Sequence, residues 1–312
     1  MAKVLVLGAT GFIGSHLTDA LLLAGHNVVA TYHIREPDIK YNDAKNIQWV
    51  NYALSSSGFI LPNTMVGCDF IFHLLTTTVP GTSNNSPYDD LMSNVGGTLR
   101  ILNSIRSACV KKIIFVSSGG TVYGIPQQIP ITESHPTNPT SSYGIGKLTI
   151  EKYLSLYHSL NGIDYSIMRL ANPYGPGQRI TTAQGAVAAF LHKAMHHQPI
   201  EIWGDGSVTR DFIYIDDVIT ALIGLMNYTG NEHIFNVGAG TGTNLNQLVS
   251  IIEQVSGQKQ QVNYKPGRSF DVPVNVLDIT KIKQELNWKP AVTLVDGIRN
   301  TYQNQLLEIL KS

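Results

Sequence analysis

The amino-acid sequence predicts an α/β fold, a doubly wound parallel sheet with a smaller C-terminal domain, and three observations support this prediction. Short apolar runs alternate with stretches of helical periodicity over the first half of the chain. A glycine-rich turn separates the first apolar run from the first helical stretch. Beyond residue 172 proline and glycine follow in quick succession, which indicates a looser second domain.

The first three elements have the spacing of a parallel crossover unit. Lys3–Leu7 is an apolar run, the apolar positions from Ile13 to Ala24 recur at helical spacing, and Asn27–Tyr32 is a second β-rich run. A long helix is expected from Tyr143 to Leu160, closed by Asn161-Gly162. Near-continuous apolar runs, which are typical of a parallel sheet covered on both faces, predict further strands at Ile47–Val50, Asp69–Leu74, Lys112–Val116 and Asp164–Leu170.

Composition excludes several classes of protein. With 22 basic and 22 acidic residues the formal net charge is zero, so no overall field attracts nucleic acid or an anionic membrane. No apolar run approaches the roughly 18 residues that a membrane span needs. The two cysteines, Cys68 and Cys109, make no disulfide framework, and no spacing of His or Cys predicts a metal site. We therefore expect a cytoplasmic protein without nucleic-acid or membrane partners and without a metal.

The glycine-rich turn has the features of a dinucleotide-binding loop. It reads Gly8-Ala9-Thr10-Gly11-Phe12-Ile13-Gly14 and lies between the first strand and the first helix. Glycines let the backbone approach a pyrophosphate closely, and the helix N-terminus offers free N–H groups to that anion. The loop therefore predicts a Rossmann-type domain over residues 1–171, rejoined at about 207–230, where Phe212–Ile215 and Asp217–Leu225 predict a strand and a helix that return to the sheet. Residues 172–206 and 231–312 are expected to form the substrate domain.

The end of the second strand leaves the choice of cofactor open. An acidic residue usually binds the adenosine ribose there, but the segment from Thr31 through Tyr32 to Arg35 contains none. Arg35 can neutralise the 2′-phosphate of NADP, or it can be a solvated side chain beside the ribose of NAD. We expect NAD, with NADP as the alternative.

A phenol and an ammonium group are placed one helical turn apart at Tyr143 and Lys147. A nearby cation stabilises phenolate, which predicts a tyrosine pKa lowered toward neutrality. Such a tyrosine can take a hydroxyl proton while hydride leaves the same carbon for a nicotinamide. The strand that ends in Val116-Ser117-Ser118 lies just upstream and adds specificity to the pair.

With these residues assembled, the chain resembles the extended short-chain dehydrogenase/reductase superfamily, in the branch of NAD-dependent nucleotide-sugar epimerases and dehydratases, and most closely the UDP-glucose 4-epimerases. The resemblance runs through essentially the whole chain. Besides the glycine loop and the Tyr/Lys pair, it is carried by four ordered motifs: Ser117 to Gly124 (SSGGTVYG), Arg169 to Gly177 (RLANPYGPG), Arg210 to Asp217 (RDFIYIDD), and Pro266-Gly267-Arg268 with Asp271-Val272-Pro273.

The resemblance implies roles for further residues. Leu74, Asn94 and Ser117 correspond to cofactor contacts, with Asn94 packed beside Lys147. Asn172, Arg210 and Arg268 correspond to the residues that bind the substrate diphosphate, and Asp271 to an acceptor for nearby hydroxyls. Trp203, next to Ile202, falls where the family holds the base, although packing in a half-buried position is an equally good interpretation of this tryptophan. The family also pairs two helices per subunit in a four-helix bundle, which implies a homodimer through Met92–Ala108 and Tyr143–Leu160.

The sequence departs from the family at one catalytic position. Most relatives carry a Ser or Thr where this chain has Gly119, and that hydroxyl relays the substrate proton. Ser118 or Thr121 can replace it, or Tyr143 can contact the sugar directly. Dehydratases carry an Asp-Glu pair at the positions of Gly120 and Thr121, so elimination of water is disfavoured.

The resemblance implies 4-epimerisation of a UDP-hexose. The alternatives are a reductase of nucleotide 4-keto-sugars, which would consume a reduced cofactor, and a non-catalytic cofactor-binding regulator, which the intact Tyr143 and Lys147 disfavour. In the 4-epimerases the residue four positions after the aspartate of the Arg/Asp motif limits the space beside the sugar C2. That position is Asn275 here, small enough to predict that N-acetylated sugars are accepted.

Overall fold

Strands and helices alternate through most of the chain, and the computed structural model describes residues 1–54, 67–105, 110–179, 185–267 and 272–311. The strands of these residues are β1 (Lys3–Leu7), β2 (Asn27–Tyr32), β3 (Ile47–Asn51), β4 (Phe70–His73), β5 (Lys112–Ser118), β6 (Asp164–Leu170), β7 (Asn172–Tyr174), β8 (Ile200–Trp203), β9 (Thr209–Arg210), β10 (Phe212–Tyr214), β11 (Ile234–Val237), β12 (Thr243–Asn244), β13 (Val262–Lys265) and β14 (Val274–Asn275). The α-helices are α1 (Phe12–Leu23), α2 (Pro80–Ser83), α3 (Pro87–Asp90), α4 (Gly97–Ile105), α5 (Ser142–Asn161), α6 (Ala186–Met195), α7 (Ile215–Asn227), α8 (Leu245–Ser256), α9 (Thr280–Leu286) and α10 (Leu294–Lys311).

Seven of the described strands form one sheet in the order β11-β6-β5-β4-β1-β2-β3. The registers that join β3, β2, β1, β4 and β5 are parallel. Strand order reverses direction between β1 and β4, as in a doubly wound sheet. The predicted Rossmann-like α/β fold is therefore confirmed.

The described chain divides into two compact units. The first comprises Met1–Val122, Pro139–Arg169 and Ile219–Phe235, and the second comprises Tyr123–Asn138, Leu170–Val218 and Asn236–Ser312. The main core cluster of the first unit combines one face of the sheet with one face of α4 and α5, and it includes Leu5, Leu7, Val29, Ile71, Ile101, Ile113, Phe115, Ile150, Leu154 and Ile167. The alternate strand positions on the other face, among them Val4, Val6, Phe72 and Ile114, are buried as well. Such two-sided burial explains the near-continuous apolar runs of the sequence.

The predicted strand Phe212–Ile215 does not return to the large sheet. The observed strand β10 pairs in parallel with β7, in a two-stranded sheet of the second unit. The strand at the edge of the large sheet is β11, which follows α7. Both strands are short apolar segments, and periodicity alone does not say which partner a short apolar strand takes.

Two further elements matter for the site. Residues Leu91–Gly96 form a π-helical turn that continues into α4, and α4 ends at Ile105 within the described residues. Helix α5 begins after Ser141, whose side chain accepts a hydrogen bond from the Gly144 N–H, and ends at Gly162 with φ 70°. Among the described residues, no helix combines the length and the apolar composition that crossing a bilayer requires.

Candidate active site

The glycine loop after β1 has a backbone that only glycine fits. Gly8 has φ 90°, in the left-handed region, and a Cβ at Gly14 would lie 2.1 Å from the Gly8 carbonyl oxygen. The Gly11 N–H donates to the Gly8 carbonyl at 3.0 Å, which closes the turn. The loop therefore forms a cradle, a concave surface of backbone atoms without side chains, directly before α1.

The N-terminus of α1 lacks a side chain that would satisfy its N–H groups. Gly11 is the N-cap residue, no side chain caps the helix, and its first turn contains no acidic residue. Free N–H groups and the positive end of the helix dipole suit an anion. Arg35 lies beside the loop, with its Nη1 donating to the Thr10 carbonyl at 3.4 Å, and the side chain of Tyr32 packs edge-on against Trp49.

Tyr143 and Lys147 lie on the first two turns of α5, as predicted. Lys147 is 6 % exposed, and its Nζ donates to the Val116 carbonyl of β5 at 2.8 Å. The same Nζ lies 5.6 Å from the centre of the Tyr143 ring and 4.7 Å from that of Phe115. The ammonium group is thereby fixed in a dry environment beside the phenol.

The expected lowering of the tyrosine pKa is wrong for the protein by itself. Burial, and next the charge of Asp90, raise the pKa of Tyr143 to about 12. Burial lowers the pKa of Lys147 to about 8, against the opposing effect of Glu151 and Asp90. The physical reason is that desolvation penalises both charged forms, and the Lys147 ammonium is held on a backbone carbonyl rather than on the phenol oxygen.

The π-helical turn carries Asn94, another predicted cofactor residue. Asn94 is 8 % exposed; its Oδ1 accepts from the Thr77 N–H at 2.9 Å, and its Nδ2 donates to Asp90 Oδ1 at 2.9 Å. Single π-helical turns are rare and occur often at functional sites. Leu74 follows β4 and its N–H donates to the Leu7 carbonyl, so it lies next to the start of the glycine loop.

The hydroxyl groups near Gly119 differ in their surroundings. The Thr121 Oγ1 is enclosed by protein and makes no hydrogen bond to any described residue. The Ser117 Oγ donates to Glu151 Oε1 at 2.5 Å and is therefore engaged. Ser118, at the end of β5, is only half-buried. Both predicted replacements are half-buried residues, and of their two hydroxyls it is that of Thr121 which is enclosed by protein.

Substrate residues predicted from the family lie in the second unit. Arg210 and Asn275 are direct neighbours across the parallel pair β9 and β14, and Arg210 Nη1 donates to the Val272 carbonyl at 2.6 Å. Asn275 is 1 % exposed. Asn172 starts β7, and its Nδ2 donates to the Asp211 carbonyl at 3.1 Å.

Ile202 and Trp203, the two residues at the position predicted to hold the nucleotide base, are neighbours on β8. Ile202 is fully buried in the core, whereas Trp203 is 41 % exposed, since successive side chains of a strand point to opposite faces. Trp203, and not Ile202, can therefore offer a surface to a planar ring. Arg268 and Asp271 lie outside the described residues.

Two features of the site were not predicted from the sequence. Glu151 follows Lys147 by one helical turn and forms a buried ion pair with Arg169 of β6, with Nη2 to Oε2 at 2.7 Å. Asp90 is 2 % exposed and lies one turn before Asn94. The spacing of four residues in each pair is the signal that was present in the sequence. Among the described residues, no group of three or more His, Cys, Asp or Glu side chains is placed to hold a metal ion.

Comparison with known proteins agrees with this geometry. The profile of the NAD dependent epimerase/dehydratase family matches residues 4–238. A UDP-glucose 4-epimerase of Mycolicibacterium smegmatis is 36 % identical over 313 residues, covering 96 % of this chain and 97 % of the relative.

Solved structures show the same similarity. The UDP-glucose 4-epimerase of Thermotoga maritima with UDP-glucose superposes with a TM-score of 0.92 at 33 % identity, covering 98 % of this chain and 99 % of that one. The Thermus thermophilus UDP-glucose 4-epimerase in complex with NAD gives a TM-score of 0.87 at 28 % identity, with coverage of 97 % and 98 %. The protein is thus an enzyme whose cofactor is NAD, and the chain belongs to the NAD-dependent epimerase/dehydratase family.

Proposed function

We propose that the protein is a 4-epimerase of UDP-hexoses. The observation that carries this proposal is the Tyr143–Lys147 pair, which is held on α5 with the Lys147 ammonium fixed by the Val116 carbonyl. The similarity to UDP-glucose 4-epimerases over nearly the full chain supports it. Gly120 and Thr121 provide no carboxylate for elimination of water, which disfavours a dehydratase.

The residues of the first unit fit the cofactor. The Gly8 and Gly14 cradle leaves room for a pyrophosphate where any Cβ would collide with backbone, and the uncapped α1 offers N–H groups to it. When bound, NAD would supply a reversible hydride acceptor for the sugar carbon, and its positive charge would favour the phenolate of Tyr143. Arg35, whose guanidinium bonds to the Thr10 carbonyl, lies where the adenosine ribose is expected.

Tyr143 acts as the general base and then as the general acid. It takes the proton of the sugar 4-hydroxyl while the carbon is oxidised, and it returns this proton after the ketone has turned over. Lys147 keeps a positive charge beside the phenol and lowers the cost of the phenolate form. Because the sugar carbon that is oxidised is afterwards reduced again, the reaction has no net electron change.

Ser118 is the hydroxyl that we assign to the relay between sugar and Tyr143. We expect Ser118→Ala to lower kcat by about tenfold or more, because a positioned proton-transfer group typically contributes at least that much. The rate is measured with UDP-galactose at saturating concentration.

Thr121→Val is the matched control for this assignment. It removes a buried hydroxyl that has no partner among the described residues, and a similar shape remains, so we expect kcat within about twofold of the wild type and unchanged or slightly higher stability. A larger loss of kcat from Thr121→Val than from Ser118→Ala would reverse the assignment.

Conversion of UDP-galactose to UDP-glucose by the purified protein, without added cofactor, tests the proposed function. We expect conversion with no net change in nicotinamide absorbance. No conversion of UDP-galactose, together with reduction of a nucleotide 4-keto-sugar at the expense of stoichiometric NADPH, would instead identify a 4-keto-sugar reductase. Binding of NAD without turnover of any UDP-hexose or UDP-N-acetylhexosamine would identify a non-catalytic regulator.

Asn275 is proposed to admit N-acetylated sugars. We expect Asn275→Tyr to lower kcat/KM for UDP-N-acetylgalactosamine by about tenfold or more relative to UDP-galactose, because a larger side chain fills the space needed by the acetamide. The ratio of the two activities is the measurement, since it cancels any general loss of folded protein. An unchanged ratio would show that Asn275 does not limit this space.

A homodimer is also proposed, through the outer face of α5. Ile145, Leu156 and Leu160 are 48 %, 46 % and 68 % exposed, and their spacing of eleven and four residues places them along one stripe of the helix. Exposed apolar stripes of this kind mark helix-packing surfaces. Light scattering at micromolar concentration checks the mass, and a monomer would refute this proposal.

A further inference from the structure

Asp90 is a buried carboxylate that the proposed mechanism does not use. It is 2 % exposed, at the end of α3, and both of its oxygens accept hydrogen bonds. Oδ1 accepts from Asn94 Nδ2 at 2.9 Å and from the Thr78 hydroxyl. Oδ2 accepts from the Ser142 hydroxyl at 2.6 Å. Three side chains from three segments thus converge on this carboxylate.

No lysine or arginine of the described ranges forms an ion pair with the carboxylate of Asp90. Its hydrogen bonds come from neutral donors, the Thr78 and Ser142 hydroxyls and the Asn94 amide. Asp90 therefore brings a carboxylate into the interior of the first unit without an ion-paired lysine or arginine among the described residues.

This carboxylate lies against the first two turns of α5. Asp90 Oδ2 bonds to Ser142, the residue directly before Tyr143, and would lie 3.9 Å from a Cβ at Gly146, the residue directly before Lys147. Asp90, Asn94, Tyr143 and Lys147 line one small cavity. A distance of 3.9 Å is an ordinary van der Waals contact, so the Asp90 carboxylate packs directly against this turn of α5.

Two further titratable groups interact with Lys147: Glu151, one turn further along α5, and His73 of β4. Burial lowers the pKa of His73 to about 3, so this imidazole is neutral at working pH. Its Nε2 lies 2.8 Å from the Thr98 hydroxyl. Asp90 is accordingly the anion that opposes the phenolate of Tyr143, and Lys147 is the cation that favours it.

We propose that Asp90 is a positioning residue of the epimerase reaction, which fixes the first turn of α5 through Ser142 and sets its carboxylate in the cavity that Tyr143 and Lys147 also line. The inference rests on the proposed role of Tyr143 as acid and base. The 4-keto sugar has to turn over before the proton is returned. During that interval the negative charge of Asp90 keeps the proton on the tyrosine, and Ser142 keeps the phenol in place.

Asp90→Asn in the NAD-bound enzyme removes the charge of this side chain and keeps its shape, so it tests the effect of the charge alone. The new amide has the same outline and can donate to the Thr78 or Ser142 hydroxyl, because a hydroxyl both donates and accepts. Removal of the charge is expected to lower the pKa of Tyr143 by about one pH unit or more. The acid limb of the pH profile of kcat is expected to move in the same direction. Asp89→Asn, at the exposed neighbouring carboxylate, is the control and is expected to move neither.

The titration of Tyr143 is measured through tyrosinate absorbance. Each protein is compared with its own Tyr143→Phe counterpart, which isolates this residue among the 14 tyrosines. The titration needs no turnover, so its result is independent of the proposed function. An enzyme that is inactive on UDP-hexoses refutes the proposed function. An unchanged Tyr143 titration in Asp90→Asn refutes the role of Asp90.

Ser142→Ala tests whether the hydrogen bond between Ser142 and Asp90 positions the first turn of α5. This variant can still refute the inference if Asp90→Asn does not fold. It removes the bond to Oδ2 and leaves the charge. We expect kcat to fall about tenfold with KM and the titration of Tyr143 little changed. Wild-type kcat in Ser142→Ala would overturn the positioning role, and a Tyr143 pKa lowered as far as in Asp90→Asn would overturn the separate role of the charge.

Discussion

Tyr143→Phe is expected to lower kcat for UDP-hexose epimerisation by at least about a hundredfold, with KM within about threefold of the wild type. In the proposed mechanism the phenol oxygen accepts and returns a proton in the transition state and contributes little to binding of the nucleotide. A change in kcat without a change in KM is the signature of an interaction made mainly in the transition state. Steady-state rates with UDP-galactose measure both constants.

Tyr157→Phe provides a matched control on the same helix. Tyr157 lies 14 residues further along α5, about 21 Å along the helix axis, and its hydroxyl donates to Asn103 Oδ1 at 2.6 Å. Removing that hydroxyl is expected to leave kcat within about twofold, because an exposed hydrogen bond contributes little to the fold and none to the chemistry. If Tyr143→Phe kept a rate similar to this control, Tyr143 would not be the acid and base.

The elements that a local pattern specifies lie where the sequence predicts them. The strands Lys3–Leu7, Asn27–Tyr32 and Asp164–Leu170 have the predicted bounds, and the long helix begins and ends within one residue of its prediction. Hydrophobic periodicity and turn residues specify these elements directly. The partner of Phe212–Tyr214 was predicted wrongly, because pairing is decided by contacts far apart in the sequence.

In the candidate site, too, local motifs are predicted correctly and properties that depend on distant residues are not. The glycine loop and the Tyr143–Lys147 spacing are sequence motifs, and both lie in the predicted elements. The ionisation of Tyr143 was not predictable, since it depends on burial and on Asp90, which is 53 residues earlier in the chain. Desolvation is a property of the packed structure, and no spacing within α5 reports it.

The Glu151–Arg169 ion pair is a further contact that only the folded chain reveals. Both side chains are 2–3 % exposed, and Arg169 donates through Nη2 at 2.7 Å and through Nε at 3.2 Å to the carboxylate. The Ser117 hydroxyl donates to the same carboxylate at 2.5 Å. The pair thereby joins α5, one turn after Lys147, to the neighbouring strands β5 and β6.

Arg169→Met is expected to lower the free energy of unfolding by about 3–5 kcal/mol, because it leaves the Glu151 carboxylate buried without its cation. The double variant Arg169→Met with Glu151→Leu removes both charges and is expected to recover most of this loss, since apolar side chains of similar volume replace a buried pair at little cost. Urea unfolding followed by circular dichroism measures the two midpoints side by side. Equal midpoints for the single and the double variant would mean that the loss comes from packing, because an uncompensated carboxylate is present in only one of them.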